Sequence, residues 1–507
     1  MKICFRFINK TALLLVGMFF IFLFVSAQAF AWQGRMAGAG DAYGLCEDES
    51  DFLIHPAAIA SSGKETNFYG SYRLTYDYVP KWDNKMDVPS LNRDYPFEAK
   101  GHEWKNEGQL GMASTLGTGR IGFFFDYLGK RAKYKGEEND YGSTTNDFDT
   151  KIQSKTDNFN FRTLYGKPLG SIKLGGELQI SHKDEENKNT LIDSAGSLQN
   201  AFRITNSAQY DLYKYMIPFR SDYYEAFGKL SIEGALGSVK NTFTVKGGTI
   251  LPFASNNKYN YHNSGGTEVS MDGEVKSWNA GLDYWVRFPL NKDVSLPFVI
   301  SISHKKTERD GSGNSNTGFN LTYKHQTEDT NATIGGGTDF NLSKGSRIAI
   351  GLYYDYLRTN QIMKTIETAA NTDIYNYPEY PSKKENRVTL KAMNEIKNSS
   401  GFSFLCGLNV FYGKVKNNFL SNRTRNSSAQ QDTRLSMDGN NWGVNLSFGT
   451  NFKTDKVTIE PFINAGFYRY KVNGNGYYDW GLIESGALTG ESEKTDWLIG
   501  GGLSVKY

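Results

Sequence analysis

The feature that most constrains this chain is an alternation of apolar and polar side chains that recurs along most of its length. In its first instance, Phe68, Tyr72 and Leu74 alternate with Ser71 and Arg73. A period of two is typical of a β-strand whose two faces meet different surroundings. The same pattern recurs over residues 121–127, 172–180, 278–288 and 348–356.

The length of these segments favours a transmembrane β-barrel over a soluble β-sandwich. Sandwich strands average about five or six residues, whereas a tilted strand needs about 9 to 11 residues to cross a bilayer. The 507-residue chain has 33 Phe, 8 Trp, 31 Tyr, 53 Gly and only 12 Pro, a balance of strand and turn formers. No segment after the N-terminal run has about 18 consecutive apolar residues, which excludes a helical membrane protein.

The connections between the segments alternate in length, as they do in outer-membrane barrels, where one rim has short turns and the other has long loops. The sequence therefore predicts an all-β, antiparallel transmembrane barrel. Short turns are predicted at residues 117–119, 168–170, 237–238, 290–292, 344–345 and 453–455, and long loops near 80–104, 132–156, 184–222, 253–274, 360–386 and 472–494.

The number of strands stays open between 14 and 16. A single very long loop over residues 361–438 gives 14 strands, and a further hairpin of residues 385–396 and 402–416 gives 16. The second hairpin segment carries Phe402 and Phe404 on one face, and a structureless loop of that size is uncommon. Periodicity therefore slightly favours 16.

The N-terminus carries the one long apolar run. Basic residues within the first ten positions precede an apolar stretch over residues 11–25, and small residues follow at 27–31. This is the pattern of a Sec-type signal peptide, so residues 1–31 are expected to be removed. An exported barrel is expected in the bacterial outer membrane. The remaining chain would carry 54 basic and 54 acidic residues, a balance that argues against a nucleic-acid partner.

The last segment alternates Trp497, Ile499, Leu503 and Val505 with polar or small residues and ends on Tyr507. A last strand that closes on an aromatic residue resembles the signal read by the outer-membrane barrel assembly machinery. That machinery is therefore an expected partner during insertion, although Tyr507 stands where Phe is usual.

The stretch before the first strand does not alternate. It is rich in small residues, acidic near its middle, and reaches a Pro-Ala pair at its end. It resembles the N-terminal segment of the FadL/TodX family of outer-membrane hydrophobic-compound transporters, with His55 where the family usually has Asn. The residues that carry the resemblance are Gly34, Arg35, Gly38, Gly40, Asp41, Ala42, Glu47, Asp48, His55, Pro56 and Ala57.

The resemblance implies that residues 32–65 form a hatch, or plug, inside a barrel built from residues 66–507. Glycine and alanine suit this position because they allow tight backbone turns in a lumen already lined by side chains. A disordered periplasmic linker is the alternative for this segment. The resemblance also favours 14 strands rather than 16.

Residues that could carry out catalysis form no recognisable site. The six histidines are spread over predicted loops and strand ends without the short spacing of metal ligands. No Gly-x-Ser-x-Gly motif or phosphate-binding loop occurs, so neither an enzyme nor a metal or other cofactor is expected. Cys46 and Cys406 could pair in an oxidising compartment, although a buried thiol and a lipid-facing thiol are the simpler prediction.

The polar face of the strands predicts the lining of the lumen. Its charges are mixed in sign, so paired charges in a filled lumen are the simplest interpretation, and a pore selective for one sign of ion is not expected. Inward aromatic residues could instead supply a path for an apolar ligand. The candidate lumen-lining residues are Arg73, Asp77, Asp126, Glu177, Trp285, Arg287, Tyr353 and Asp355.

Two functions are compatible with these observations. By the resemblance, the barrel would passively admit hydrophobic small molecules, such as long-chain fatty acids or aromatic hydrocarbons, across a membrane whose lipids surround it. The alternative is a structural, adhesin or scaffold barrel that acts through its long loops. A continuous apolar cavity would favour transport, whereas a lumen packed with salt bridges would favour the scaffold.

Overall fold

The computed structural model describes residues 36–37, 44–46, 49–63, 65–88, 93–139, 147–193, 198–199, 219–262, 268–314, 320–342, 346–369, 372–398, 402–425, 429–454, 456–479 and 485–507. The predicted signal peptide and the candidate hatch residues Gly34, Arg35, Gly38, Gly40, Asp41 and Asp48 lie outside the described residues.

The described chain forms one antiparallel sheet. Two short 3-10 helices, Glu49–Leu53 and Pro56–Ser61, precede it. Sixteen of the described strands are 15 to 25 residues long, and three are short. In chain order the strands are β1 (Asn67–Val88), β2 (Arg93–Leu116), β3 (Gly119–Asn139), β4 (Asp147–Leu169), β5 (Ile172–Asp193), β6 (Leu198–Gln199), β7 (Phe219–Leu236), β8 (Val239–His262), β9 (Glu268–Gly273), β10 (Val275–Pro289), β11 (Val294–Asn314), β12 (Asn320–Asn341), β13 (Arg347–Ala369), β14 (Thr372–Glu379), β15 (Ser382–Lys397), β16 (Phe402–Arg425), β17 (Ala429–Lys453), β18 (Thr458–Asp479) and β19 (Ser485–Lys506).

The sheet closes on itself, because β1 pairs with β2 on one side and with β19 on the other. Apart from the short β6, β9 and β14, the described residues form a closed barrel of 16 strands. The hairpin predicted from residues 385–396 and 402–416 is present as β15 and β16. The prediction of 16 strands is therefore confirmed and that of 14 is wrong.

Tight turns join the strands at one rim, which we call the turn end. Leu116 pairs with Gly119, Leu169 with Ile172 and Leu236 with Val239, so two residues make each turn. The first residue of each turn is a glycine, Gly117, Gly170 or Gly237, with φ between +61° and +64°. Only glycine adopts this left-handed region without steric strain, so these residues fix three of the predicted turns.

At the opposite rim, the loop end, the strands run further than the sequence predicted. Residues 80–104 were expected to form a loop, but β1 continues to Val88 and β2 begins at Arg93. The same extension occurs in β3 and β4, which reach Asn139 and start at Asp147. The strands continue through these charged stretches because their outer surface faces water there. The backbone hydrogen bonds between neighbouring strands do not depend on contact with lipid.

A band of apolar side chains surrounds the outside of the barrel. It begins at the turn end with exposed leucines such as Leu116 and ends with aromatic residues such as Trp104, about 12 residues away along β2. At a rise of about 3.4 Å per residue and a tilt of about 40°, this distance corresponds to a height of roughly 30 Å, the thickness of a bilayer core. The barrel is therefore a transmembrane one. No helix within the described residues is both long and apolar enough to span a membrane.

Beyond this band the two faces of each strand exchange character. On β16, Phe404 and Tyr412 point outward and are 41% and 50% exposed. Nearer the loop end of the same strand, Val415 and Phe419 occupy the inward positions and are buried. The outward residues there, Lys414 and Lys416, are charged. The loop end thus has a polar exterior and an apolar interior, unlike the membrane-level part.

Candidate functional site

The segment before β1 lies inside the barrel and contacts the inner wall. The Phe52 ring is 5.8 Å from the Tyr69 ring on β1 and 5.5 Å from the Phe124 ring on β3, measured between centroids. Ile59 packs into the same buried cluster together with Leu164 of β4. Apolar burial therefore attaches this part of the segment to the first four strands.

A second set of contacts attaches the segment to β7, β8 and β10. Nδ1 of His55 lies 2.6 Å from Oγ1 of Thr244, and its ring meets Trp285 edge-on at 4.2 Å between centroids. The backbone N–H of Ala57 donates to Oγ of Ser231 at 2.5 Å. His55 belongs to the N-terminal segment rather than to a spanning strand, and burial lowers the pKa of its imidazole to about 3, so the ring is neutral at physiological pH.

A third set of contacts lies on the other side of the lumen. Leu45 and Cys46 pack with Met393 of β15 and Leu405 of β16 in one buried cluster. The Cys46 thiol is 3.0 Å from Sδ of Met393. Cys406 occupies an outward position on β16, so the two cysteines lie on opposite faces of the wall and do not pair. The segment therefore crosses the lumen and contacts the wall on both sides.

Two glycines on neighbouring strands make room for this segment. A Cβ on Gly175 of β5 would overlap the backbone of Pro56 and Ala57, and one on Gly166 of β4 would press on Ile59. Gly176, next along β5, has only ordinary contacts at that position. Glycine is thus required at Gly166 and Gly175 by close approach rather than by backbone angle.

Ion pairs fill the lumen around the segment. Lys229 Nζ lies 3.0 Å from Glu177 and also donates to the Leu53 carbonyl at 2.5 Å, while Lys246 is 2.8 Å from Asp283. These groups are largely buried, so each charge depends on its partner. Further pairs join Arg162 to Asp126, Arg287 to Asp339, Arg347 to Asp339 and Arg387 to Asp355.

All eight candidate lumen-lining residues occupy inward positions. Trp285 and Arg287 contact the N-terminal segment, and Arg287 Nη2 donates to the Leu45 carbonyl at 3.2 Å. Asp126 and Glu177 belong to the ion pairs described above. Tyr353 and Asp355 line a cavity further toward the loop end, and Arg73 and Asp77 lie on β1, away from that cavity.

Several residues that position the segment were not among the candidates. Ser231 and Thr244 hold its backbone and histidine, and Asp339 accepts from Arg287 and Arg347. Their types do not distinguish them from other inward polar residues. The Gly175-Gly176 pair within a strand was a usable signal, since glycine inside a strand often marks a close approach of backbone.

Two cavities lie inside the barrel. One of about 510 Å³ is lined by His55, Trp285 and Arg287 and extends toward the turn end, where Lys240 and Lys506 lie. Another of about 380 Å³ lies nearer the loop end and is lined by Tyr353, Phe411, Tyr468, Asp355 and Arg387. Both mix aromatic and charged side chains.

The loop-end interior is apolar. Val79, Trp82, Tyr134 and Ile152 from β1, β3 and β4 form a buried cluster. Tyr223, Ile250 and Val275 form another on β7, β8 and β10. Additional buried inward residues at this level are Leu321, Tyr323, Met363, Val415, Phe419, Leu435, Met437, Tyr470, Val472, Tyr478 and Leu488.

One ion pair crosses the lumen at this level. Nη2 of Arg309 on β11 lies 2.8 Å from Oε2 of Glu185 on β5. These two strands are not neighbours, because β7, β8 and β10 lie between them in the wall. The pair therefore links two strands across the interior of the barrel. Among the described residues, no group of three or more His, Cys, Asp or Glu side chains could hold a metal ion.

No protein-family model matches the sequence, and no curated protein matches it. Structural neighbours are FadL- and TodX-type channels. A Pseudomonas aeruginosa FadL homologue is 11% identical, covers 94% of this chain and 98% of its own, and has a TM-score of 0.41. The Pseudomonas putida toluene transporter TodX is 11% identical over the same shares, with a TM-score of 0.39. The Ralstonia pickettii toluene transporter TbuX is 8% identical over 90% of this chain and 93% of its own, with a TM-score of 0.34.

Proposed function

We propose that this protein is an outer-membrane barrel that passively admits hydrophobic small molecules from the loop end, with residues 32–65 as its plug. The observation that carries the proposal is the apolar inner wall of the loop end. A strand face turned toward an aqueous lumen would be polar, yet here Trp82, Tyr134 and Ile152 lie inside while charged residues lie outside.

A route for the ligand would begin among these apolar side chains. They pack against one another, so a ligand must displace contacts at the loop end before it enters. Each 100 Å² of apolar ligand surface removed from water contributes about 2.5 kcal/mol toward that exchange. Long-chain fatty acids and aromatic hydrocarbons such as toluene have the required chemistry.

The plug would control passage toward the turn end, which we assign to the periplasm. The cavity of about 510 Å³ is lined in part by His55 of the plug, and the cavity of about 380 Å³ lies nearer the loop end. A rearrangement of residues 44–63 would join them. We assign residues 1–31 to a removed export signal, and insertion would require the barrel assembly machinery.

Uptake of a labelled long-chain fatty acid by cells tests the proposal. The barrel is expressed in a host that lacks its own uptake protein for that probe. Gly175→Ala, which presses on the plug, is compared with Gly176→Ala on the same strand. We expect Gly175→Ala to change the uptake rate several-fold and Gly176→Ala to leave it unchanged. Equal uptake by cells with and without the barrel would overturn the proposal.

A non-transport scaffold is the second candidate, and the ion pairs favour it. The pair between Arg309 and Glu185 bridges the lumen, and the pairs of Lys229 and Lys246 hold the membrane-level interior together. A scaffold needs this rigidity to present its loops. Under this function Gly175→Ala would lower stability without any change in uptake, which distinguishes the two candidates.

A further inference from the structure

The cavity of about 380 Å³ has two aromatic rings side by side on its wall. The rings of Phe411 on β16 and Tyr468 on β18 are 5.7 Å apart between centroids, and their planes differ by 25°. Gly443 on β17 lies between these residues and is directly opposite both. A Cβ on Gly443 would overlap both rings, so the rings lie over this glycine. Together they form one aromatic surface, which a side chain at this position would disrupt.

Two asparagine side chains border this aromatic surface. Asn445 on β17 is directly opposite Asn409 on β16, and both line the cavity. A Cβ on Gly466 would be 3.3 Å from Asn445 Oδ1 and 3.2 Å from Tyr468 Oη, so this amide lies close to the hydroxyl end of the ring. The Oδ1 atoms of Asn409 and Asn445 are buried and have no hydrogen-bond partner among the described residues. Buried polar atoms without partners are costly, so a polar group in the cavity would stabilise them.

The other end of the aromatic surface carries a charged pair. Along β16, Asn409 lies two residues from Phe411 toward the turn end, and Arg387 is directly opposite Gly413, two residues toward the loop end. The Arg387 guanidinium lies over the Phe411 ring, 5.3 Å from its centroid. It is 3.1 Å from Asp355, which also accepts hydrogen bonds from two threonine hydroxyls. These groups pair with one another, so we place a ligand ring at the end of the surface near the asparagines.

The polar groups at that end suit a hydroxyl on an aromatic ring. A hydroxyl both donates and accepts, so it can pair with an amide in either orientation. Lys391 lines the cavity directly opposite Asn409, and its positive charge favours the more acidic hydroxyl of a phenol over that of an alkyl alcohol. An apolar ring without such a group would displace water from the amides and leave them unpaired.

From this arrangement we propose that the cavity binds a phenol, that is, a single aromatic ring with one or two hydroxyl groups. The ring would lie against Tyr468, and the hydroxyls would reach Asn409 and Asn445. The cavity volume is near the lower end of the range for small-molecule sites, about 300 to 1,000 Å³, which suits one ring better than a long acyl chain. The inference rests on the proposed function and narrows its substrate class to hydroxylated aromatic molecules.

Equilibrium dialysis of the purified barrel with labelled catechol tests the site, with empty detergent micelles as the blank. Two analogues separate the contributions of the ring and the hydroxyls. Dimethoxybenzene keeps the aromatic ring but has no hydroxyl to donate. Cyclohexanediol keeps both hydroxyls but has no aromatic ring. Catechol should bind saturably, and both analogues should bind more weakly.

The variant Asn409→Leu/Asn445→Leu removes both amides from the cavity. Its control is Asn418→Leu/Asn440→Leu, which makes the same change at exposed positions on the same two strands. We expect the cavity variant to bind catechol about 30-fold more weakly, since each neutral hydrogen bond contributes a factor of about five. The control should bind as the unaltered barrel does.

A second variant, Tyr468→Leu, removes one ring of the aromatic surface. Its control is Tyr477→Leu, at an exposed position on the same strand. We expect Tyr468→Leu to weaken catechol binding about fivefold through loss of the ring contact, and Tyr477→Leu to leave it unchanged. Every variant should keep the heat-modifiable electrophoretic mobility of a folded barrel.

Equal binding of catechol by the unaltered barrel and the asparagine variant would overturn this inference, as would equally tight binding of dimethoxybenzene. Fatty-acid uptake by cells that carry the same variants separates this result from the transport proposal. Barrel-dependent uptake together with either result removes only the phenol site. Barrel-dependent uptake of neither fatty acid nor catechol would overturn the proposed function, even if catechol binds the purified protein.

Discussion

The membrane-level part and the loop end of this barrel use the same strands in opposite ways. On β16, Phe404 and Tyr412 face outward at membrane level, while Val415 and Phe419 face inward beyond it. No bulge interrupts β16 between these residues, so the backbone alternation is continuous. The surroundings differ: lipid favours apolar side chains outside, and water favours them inside.

The difference shows that each part is stabilised by a different interaction. At membrane level the interior is held by ion pairs and by contacts with the N-terminal segment, and burial of charge there depends on complete pairing. At the loop end the interior is a conventional apolar core, stabilised by removal of side chains from water. Loss of apolar volume should therefore matter most at the loop end, and loss of one partner of an ion pair should matter most at membrane level.

The largest effect is expected from Trp82→Ala in the loop-end core. Trp82 is 1% exposed, and its removal leaves a cavity beside Tyr134 and Ile152, so we expect unfolding in detergent to become about 3–5 kcal/mol easier. Trp104→Ala is the control, because Trp104 faces outward and is 40% exposed. Equal losses for the two variants in urea unfolding would remove the distinction between the inner and outer faces.

A somewhat smaller effect is expected from Lys229→Met at membrane level. The substitution leaves Glu177 buried without its cation, and we expect a loss of about 3 kcal/mol. The double variant Lys229→Met/Glu177→Leu should recover most of it, because no unpaired charge remains. If the double variant is as unstable as the single one, ion pairing does not govern this part of the lumen. Heat unfolding monitored by circular dichroism measures both.

His55→Ala should loosen the plug by about 1 kcal/mol, through loss of the hydrogen bond to Thr244 and of the contact with Trp285. Cys46, which is buried in the plug, reports the change. In a Cys406→Ser background, maleimide labelling of Cys46 should become about fivefold faster, in proportion to the shift in equilibrium. Thr249→Ala, on the same strand as Thr244, is the control, and an equal increase there would contradict this role of His55.

The smallest effect is expected from Lys471→Gln on the outside of the loop end. Its pair with Glu491 is exposed on both sides and should contribute less than about 0.5 kcal/mol. Urea unfolding should show almost no change. A loss comparable to that of Lys229→Met would mean that exposed and enclosed ion pairs contribute equally, contrary to the comparison.

Much of the fold follows from local patterns in the sequence. The alternation around Phe68, Tyr72 and Leu74 predicted β1 and the orientation of its side chains, and glycines such as Gly117 marked the turns. The loop-end parts of the strands were missed because their outward residues are charged. A charged stretch resembles a loop if every strand is expected to have an apolar, lipid-facing side. Trp82 was hidden in addition by a register shift on β1 between Tyr78 and Lys81.

The candidate site was less predictable. Inward positions such as Arg287 and Asp355 follow from alternation, because a face is a local property. Which inward residues contact the N-terminal segment depends on contacts between distant parts of the chain. His55 and Thr244 are 189 residues apart, and nothing in either local sequence indicates the other. The pairing of charges across the lumen, as between Arg309 and Glu185, is equally non-local.

Photoaffinity labelling tests the central claim most directly, namely that the loop-end interior receives a hydrophobic ligand. A long-chain fatty acid with a diazirine near its methyl end is irradiated with the purified barrel, and the modified residues are identified by mass spectrometry. The account predicts saturable labelling of inward residues such as Trp82, Tyr134 and Ile152, which excess unlabelled fatty acid suppresses. Labelling confined to lipid-facing residues such as Tyr72 and Leu74, with none inside, would contradict it.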